Sequence, residues 1–533
     1  MVHRARRRAL ATVAAAAAAV LLLLLLCLTT VSGVRATLTA DFTEAQRTNT
    51  LKVLQVFPPA MAGLNWTGED FCTFEGVLCH PSSVVVSLQL WALVSGSLPE
   101  LPSTGVDYAQ VMVTHLDFSG MRETLTGTLP SSWSSLIFIQ KIQLCRTEIT
   151  GTLPDVWSSM SSIRDIVLFS TEITGTLPDV WSSMTNLVQL KMDDTQVSGT
   201  LPASWGSLRK LKDLWLLGTH LSGTLPPEWG SMSSMNTMFL HSTKVSGALP
   251  AEWSSMTWLS TLTASHTSLS GTLPPEWGSL TGLTYFAADY TSLSGTLPPE
   301  WSSMTLLKTV YLTDTKVSGT LPPQWGSMSS LVELTASLTS LSGTLPPEWA
   351  ALKRLGAFHA DYTSLSGTLP PEWSSMTQLH MILLAGTKVS GTLPPQWGSM
   401  SSIMELRLTG TEVSGTLPAE WSSMSRLQTL NVAGCALYGW LPAEWSSLPR
   451  PVRLTLTHNS FCGCVPASWS ALAGLTVVAD ASVTGSTCRT TNSCSVTGAC
   501  GLVGCTSCAD ALSSVRGTCS DAYFLTKGSS SGE

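Results

Sequence analysis

Charge is what this chain has least of. Only 12% of its 533 residues are Asp, Glu, Lys or Arg, about half of the ~25% usual in a soluble domain. The 28 basic and 35 acidic residues leave a net charge of −7, and no basic block follows the first eight residues, so no nucleic-acid partner is expected. Tyr is scarce, at 7, and Gly and Pro, at 41 and 29, stay close to average usage, which excludes a collagen-like or low-complexity chain. A mean hydropathy of +0.24 with 44% hydrophobic residues excludes a chain too polar to bury a core. Against these absences stand 20 tryptophans, a number that points to a repeat.

The ends of the chain indicate its compartment. Val-His-Arg-Ala-Arg-Arg-Arg at 2–8 is followed by an apolar run from Ala9 to about Leu28, then by the small residues Ser32, Gly33 and Ala36. This is the pattern of a signal peptide over 1–36, with the mature chain starting near Val34 or Thr37. An uncleaved anchor is the alternative, since the run is long enough to span a bilayer. Either way the remainder is expected outside the cytosol, at the cell surface or secreted. Cys72 and Cys79 lie near the start, and Cys462, Cys464, Cys488, Cys494, Cys500, Cys505, Cys508 and Cys519 crowd the C-terminal part. In an oxidising compartment these ten read as five disulfides, one N-terminal and four C-terminal. Zinc is the weaker reading of Cys505-Thr-Ser-Cys508, because no His lies nearby. No metal or cofactor is expected. The last residues, Lys527 to Glu533, show neither a polar spacer nor a hydrophobic tail of an anchor signal. Membrane association is therefore expected only through an uncleaved leader or a lipid anchor that this sequence does not encode.

Fifteen tryptophans, from Trp133 to Trp469, fall on a spacing of 24 without a slip. Around them the frame reads G-T-L-P-x-x-W-S-S-M-x-x-L-x-x-L-x-L-x-x-T-x-V-S. This is a leucine-rich repeat: L-x-x-L-x-L forms a short strand and L-P starts the returning segment. The expected fold is an α/β-type repeat solenoid of plant-type 24-residue coils, with a parallel β-sheet on the concave face and a disulfide-bonded cap at each end. One coil cannot bury its leucines, but stacked neighbours build a continuous core. At ~4.8 Å per strand, fifteen coils give a sheet roughly 70 Å long. The Trp ladder is expected as stacked convex core. Thr fills one site twelve times running, from Thr147 to Thr411, followed by Cys435 and Asn459; its hydroxyls are expected to form a buried ladder bonded to backbone groups. Thr-Lys-Val-Ser-Gly recurs at 243, 315 and 387, and Ala-Asp-Tyr-Thr-Ser-Leu-Ser-Gly at 288 and 360, which indicates expansion in blocks of three coils.

The expected organisation is an N-terminal cap over 37–81, imperfect repeats over 82–126, the regular solenoid over 127–480, a Cys-rich region over 481–523 and a flexible tail over 524–533. In the cap, Phe42 to Phe57 reads as a short helix stopped by Pro58-Pro59. Trp66, Cys72, Phe74, Gly76-Val77 and Cys79 resemble the cap of plant-type leucine-rich repeat ectodomains, and Asn65-Trp-Thr67 is an N-glycosylation sequon. The Thr ladder, the G-T-L-P-P-E-W-S-S-M frame and the Cys-rich end together resemble the promastigote surface antigen family of Leishmania. That resemblance implies a surface or shed glycoprotein active in host-phagocyte attachment and complement resistance. The chain differs from the family in lacking both the hydrophobic anchor tail and the Thr/Pro-rich stretch that many members carry.

Recognition is expected on the outward strand positions, which vary from coil to coil while the scaffold repeats. They include Lys191, Asp193, Trp215, Glu333, Glu405 and Arg407. The expected contact patch is Phe239, His241, Tyr285, Asp289, Tyr290, Tyr311, His359, Asp361 and Tyr362, because aromatics are enriched at interfaces. It would take a protein or glycoprotein ligand, with a host phagocyte receptor or complement component implied by the resemblance. His359 with Asp361, and His241 with His266, invite an acid–base or metal reading, but an open concave face lacks the enclosure that tunes a catalytic group, so no enzyme is expected. The alternatives are an antigenic coat protein without a specific partner and an inhibitor of a secreted hydrolase. Cys145, expected to face the concave side, is read as a free thiol or an inter-chain link that would make a dimer.

Overall fold

The computed structural model describes residues 42–484, apart from 81–83, 91–93, 122–123, 450–451 and 471–473. The expected signal peptide, the cysteines from Cys488 to Cys519 and the C-terminal tail lie outside the described residues. Among the described residues, no helix is long and apolar enough to cross a membrane.

The chain enters through α1 (Glu44–Leu54), whose N-cap Thr43 exchanges side-chain and backbone bonds with Gln46 in a capping box, satisfying two otherwise orphaned donors. The helix ends before the prolines: Pro58 and Pro59 instead open a separate turn, Phe57–Ala60, where a missing N–H costs nothing. Val53, Leu54 and Phe57 are buried and close the first end of the core. Cys72 and Cys79 form a disulfide beside Trp66, which stacks on Phe74 at 5.3 Å.

From there the chain winds as a leucine-rich repeat solenoid. Its main sheet has 18 strands. Val77–His80 pairs antiparallel with Val85–Gln89, and every later strand lies parallel to its neighbour, each coil adding three residues such as Thr261–Thr263 or Tyr285–Ala287. The ladder is open. Its far strand, Leu475–Val478, pairs with Val452–Thr455. A second parallel ladder runs along the flank, four strands from Ser198 to Leu269 and eight from Ser294 to Phe461. On the convex side each L-P leads into a one-turn 3-10 segment such as Pro275–Ser279.

Fourteen of the fifteen tryptophans sit at the middle of these turns, as Trp277 does in Pro275–Ser279, and Trp469 in a helical turn, Ala467–Ser470; twelve of the fifteen are among the largest fully buried side chains. Neighbouring rings lie nearly parallel, 6.3 Å apart for Trp133–Trp157 and 6.1 Å for Trp445–Trp469. Every indole N–H on the grid donates to the carbonyl of the L-P proline one coil back, from Trp133 on Pro99 to Trp469 on Pro442. Trp thus fills the core and ties coil to coil without leaving its one polar group unpaired.

The Thr ladder takes its expected form, buried and bonded to backbone groups. Each hydroxyl donates to the carbonyl three residues earlier in its own coil, as Thr291 does to Ala288 at 2.8 Å and Thr387 to Leu384 at 2.8 Å. The hydroxyls therefore close their own turns. Asn459, at the same site, has the reach to do more: its amide donates to Leu456 O and, one coil back, to Val432 O, while Leu437 N donates to its Oδ1. A Thr hydroxyl offers one donor hydrogen and an acceptor oxygen on a short side chain, whereas the longer Asn amide offers two donor hydrogens and a separate acceptor oxygen.

Candidate recognition face

Successive strand residues point to opposite sides of the sheet, so the flanking positions of each three-residue strand face outward. They build one row along the solenoid. Lys191 Nζ lies 3.8 Å from the centroid of the Trp215 ring. Trp215 leans on Phe239 at 5.2 Å, and Phe239 meets His241 edge-on at 6.2 Å. His241 Nδ1 is 2.8 Å from Thr263 Oγ1. Further along, Tyr285 and Tyr311 make an edge-to-face pair at 5.6 Å, and Tyr311 donates to Glu333 at 2.7 Å. His359 Nε2 approaches Met381 Sδ at 3.0 Å.

Four members of the expected patch have other surroundings. Asp361 is buried, which corrects its reading as a solvent-facing contact. It accepts Ala385 N–H from the next coil at 2.6 Å and pairs with Arg407 at 3.6 Å; Arg407 also holds Glu405 at 2.5 Å. Tyr290 and Tyr362 lie beyond the strand, at the residue before the ladder Thr. This residue is left-handed in coil after coil, with φ 55° at Tyr290 and 56° at Tyr362. Both therefore stand on the rim of the face, Tyr290 stacked on His266 at 4.4 Å and Tyr362 largely exposed. Asp289, at the position of Asp361 in its own coil, accepts Thr313 N–H at 2.7 Å and belongs to the same coil-to-coil clamp. Cys145 lies with the outward residues Val167 and Phe169 in a small cluster apart from the main core, as expected for a concave-side position, but it is buried there, which argues against the inter-chain link.

The acid–base pairs suggested by sequence are not assembled. His359 and Asp361 are engaged with Met381 and Ala385, and His266 with Tyr290. No group of three His, Cys, Asp or Glu among the described residues is placed to hold a metal. The patch expected from sequence starts at Phe239 and so leaves out Lys191, Asp193 and Trp215. A signal was available, because Trp215 is a tryptophan off the 24-residue grid.

Burial sets the electrostatics. It pushes Asp193 up to about 7 and Asp289 up to about 6, lowers His241 and His359 to about 4, and raises Tyr285 to about 12. The two carboxyls bind protons more tightly folded than unfolded. Their contribution is fullest below the unfolded value of about 3.9 and is lost as pH rises through about 6 and 7. The histidines behave oppositely: their contribution is full above about 6.5 and lost as pH falls toward about 4. The histidine contribution starts to fall within a pH unit above 6.5 and offsets the carboxyl gain from there down to about pH 5, so stability is expected to stay within about 0.5 kcal/mol between pH 8 and 5. Asp193→Asn removes the larger carboxyl share, so urea midpoints should then fall as pH is lowered over that range, by roughly 2–3 kcal/mol in total; a pH profile as flat as the parent's would disprove the assignment.

No family model matches the chain. Over 112 residues, 21% of its length, it is 46% identical to the surface membrane glycoprotein GP46/M-2 of Leishmania amazonensis. The matched segment spans about a quarter of that relative, 23%. Among solved structures it resembles the plant peptide hormone receptor RGFR1 in complex with RGF2, at TM-score 0.63 and 22% identity over 77% of this chain and 72% of that one. It also resembles the Arabidopsis receptor kinase HAESA in complex with the peptide hormone IDA and the co-receptor SERK1, at TM-score 0.59 and 20% identity over 76% of each chain. The Leptospira interrogans leucine-rich repeat protein LIC12759 follows at TM-score 0.52 and 22% identity, over 62% of this chain and 80% of that one. The chain is thus a leucine-rich repeat solenoid with the fold of such ectodomains, similar over one segment to a Leishmania surface glycoprotein.

Proposed function

We propose that the chain is a non-catalytic recognition protein of the cell surface or extracellular space, binding a protein or glycoprotein through its concave face. A host phagocyte receptor or a complement component is the partner class we favour. The observation that carries this reading is the outward row from Lys191 through Trp215, Phe239 and His241 to Tyr285 and Tyr311, borne on a uniform scaffold. Aromatic anchors on a preordered frame bind with little side-chain entropy to lose. The partial likeness to a surface glycoprotein and the ectodomain fold support the location. Asn65 is exposed, as an N-linked glycan requires.

The test is binding of the secreted, glycosylated chain to macrophages and to serum proteins. A variant with Trp215, Phe239, Tyr285 and Tyr311 changed to Ala runs beside it, after circular dichroism confirms that both are folded. Saturable binding weakened at least ~10-fold in the variant is expected. Absence of saturable binding would move the reading to an antigenic coat without a specific partner, and equal saturable binding by the two proteins would rule out this patch and move the contact to another surface.

A further inference from the structure

We propose that the concave face over residues 189–333 receives a basic segment of a partner protein, an arginine- or lysine-rich stretch anchored where Asp193 and Trp215 adjoin. The inference rests on reading this face as a recognition surface and adds the chemistry of its partner.

Charge is the first argument. On the outward strand positions of this stretch and the turns between strand and ladder Thr stand Asp193, Asp194, Asp213, Asp289, Asp314 and Glu333, where Lys191 is the one Lys or Arg; Lys212 and Lys308 lie just before their strands, and Lys244 and Lys316 just past the ladder Thr. Arg407 makes the ion pairs found among the described residues, and it lies outside the stretch, so none of the six acids has a salt-bridge partner there. Such a face repels phosphate and sulfate groups and attracts cations.

The second argument is a pair of unpartnered atoms. Asp193 is 7% exposed, and its Oδ1 and the indole Nε1 of Trp215 are buried without a hydrogen-bond partner. The two residues lie on adjacent coils: Trp215 pairs with Lys191, the last residue of its strand, in the sheet register, and Asp193 follows two residues beyond that strand. Its counterparts Asp289 and Asp361 accept the N–H of the next coil. Asp193 makes no such clamp. Folding bears a cost to leave a buried acceptor and a buried donor unpaired, and a ligand offering both complements recovers it. A peptide with a basic side chain does so: the guanidinium or ammonium donates to Asp193, and a backbone carbonyl accepts from Trp215.

The third argument is Lys191. Its ammonium 3.8 Å from the Trp215 ring centroid shows that the ring face takes a cation in this setting. Lys191 acts as an internal stand-in, which an incoming basic side chain replaces or repels.

The experiment is calorimetric titration of the whole secreted chain with a hexa-arginine peptide, with hexa-glutamate as control, at low and high salt. Saturable binding of hexa-arginine that weakens with salt is expected, with none of hexa-glutamate. Asp193→Asn should weaken it about ten-fold while raising the thermal midpoint at pH 8, a combination that a merely structural role would not produce. Lys191→Met should tighten it several-fold by removing the competing cation. Absence of hexa-arginine binding, equal affinity in Asp193→Asn, or weaker binding in Lys191→Met would overturn the inference. If the chain fails to bind hexa-arginine but binds cells through the aromatic row, the basic partner falls and the recognition face stands. If cell binding survives loss of the aromatic row, the recognition face itself falls.

Discussion

Trp277→Ala is expected to lower stability by at least about 3–5 kcal/mol and to split unfolding into two steps. The Trp277 side chain is fully buried, lies between Trp253 at 6.4 Å and Trp301 at 6.3 Å, and meets Phe286 edge-on at 5.8 Å. Truncation opens a cavity that neighbouring coils cannot close, because each is held in register by its own strand and its own Trp. It also removes the indole donor to Pro250 O, now 2.9 Å away, which leaves that carbonyl only the longer bond from Trp253 N at 3.3 Å and costs about 1 kcal/mol. In a stacked array stability is a sum of coil and nearest-neighbour terms, so a weak interface in the middle lets one half unfold before the other. Urea unfolding followed by circular dichroism, with limited proteolysis between the transitions, measures both effects. Trp258→Ala is the control: that ring is 70% exposed, and its loss should cost no more than about 0.5 kcal/mol. Equal losses at the two positions would show that the grid of tryptophans does not hold the array together.

Gly295→Ala is expected to cost roughly 2–5 kcal/mol for the addition of one methyl group. Gly295 belongs to the flank ladder with φ +75°, and a Cβ there would stand 2.6 Å from Thr272 Cγ2 of the preceding coil. Two penalties combine, about 1–2 kcal/mol for a left-handed side chain and about 1–3 kcal/mol for overpacking. They separate by mutation. Thr272→Ala removes the obstructing methyl, so the double variant should regain the second penalty and keep the first. Gly410→Ala supplies the first penalty alone, since Gly410 has φ +69° and open space where a Cβ would go. Urea midpoints of the four proteins test the scheme. Strict additivity of Gly295→Ala and Thr272→Ala would remove the steric half of the explanation and leave only the backbone half.

The candidate site was partly legible in the same repeat. Phe239, Tyr285 and Tyr311 occupy outward strand positions, where strand alternation places them. Register in the repeat places Tyr290 and Tyr362 on the face as well, but the chain has already turned left-handed at that residue. Asp289 and Asp361 look like surface acids in a sequence. Their partners, Thr313 N and Ala385 N, lie 24 residues away and become neighbours only when one coil stacks on the next.

What the sequence determined alone is the coil and its stacking. A 24-residue period carried without a slip puts each Leu, Trp, Thr and Gly in the same surroundings every turn, so one coil's geometry must satisfy all of them. Cys72 and Cys79, the strand positions and the buried Trp ladder follow from spacing and burial, which are local or strictly periodic properties. The tertiary structure decided which outward groups are free and which are engaged. It turned the ladder hydroxyls onto their own coils, buried Cys145 with Phe169, clamped Asp361 to Ala385, and left Asp193 and Trp215 with unpartnered atoms. Each of these outcomes depends on what the adjacent coil presents, and the adjacent coil differs from its neighbours at the variable positions. A periodic pattern specifies the frame because every coil shares it, whereas contacts between unlike residues of successive coils exist only in the assembled stack.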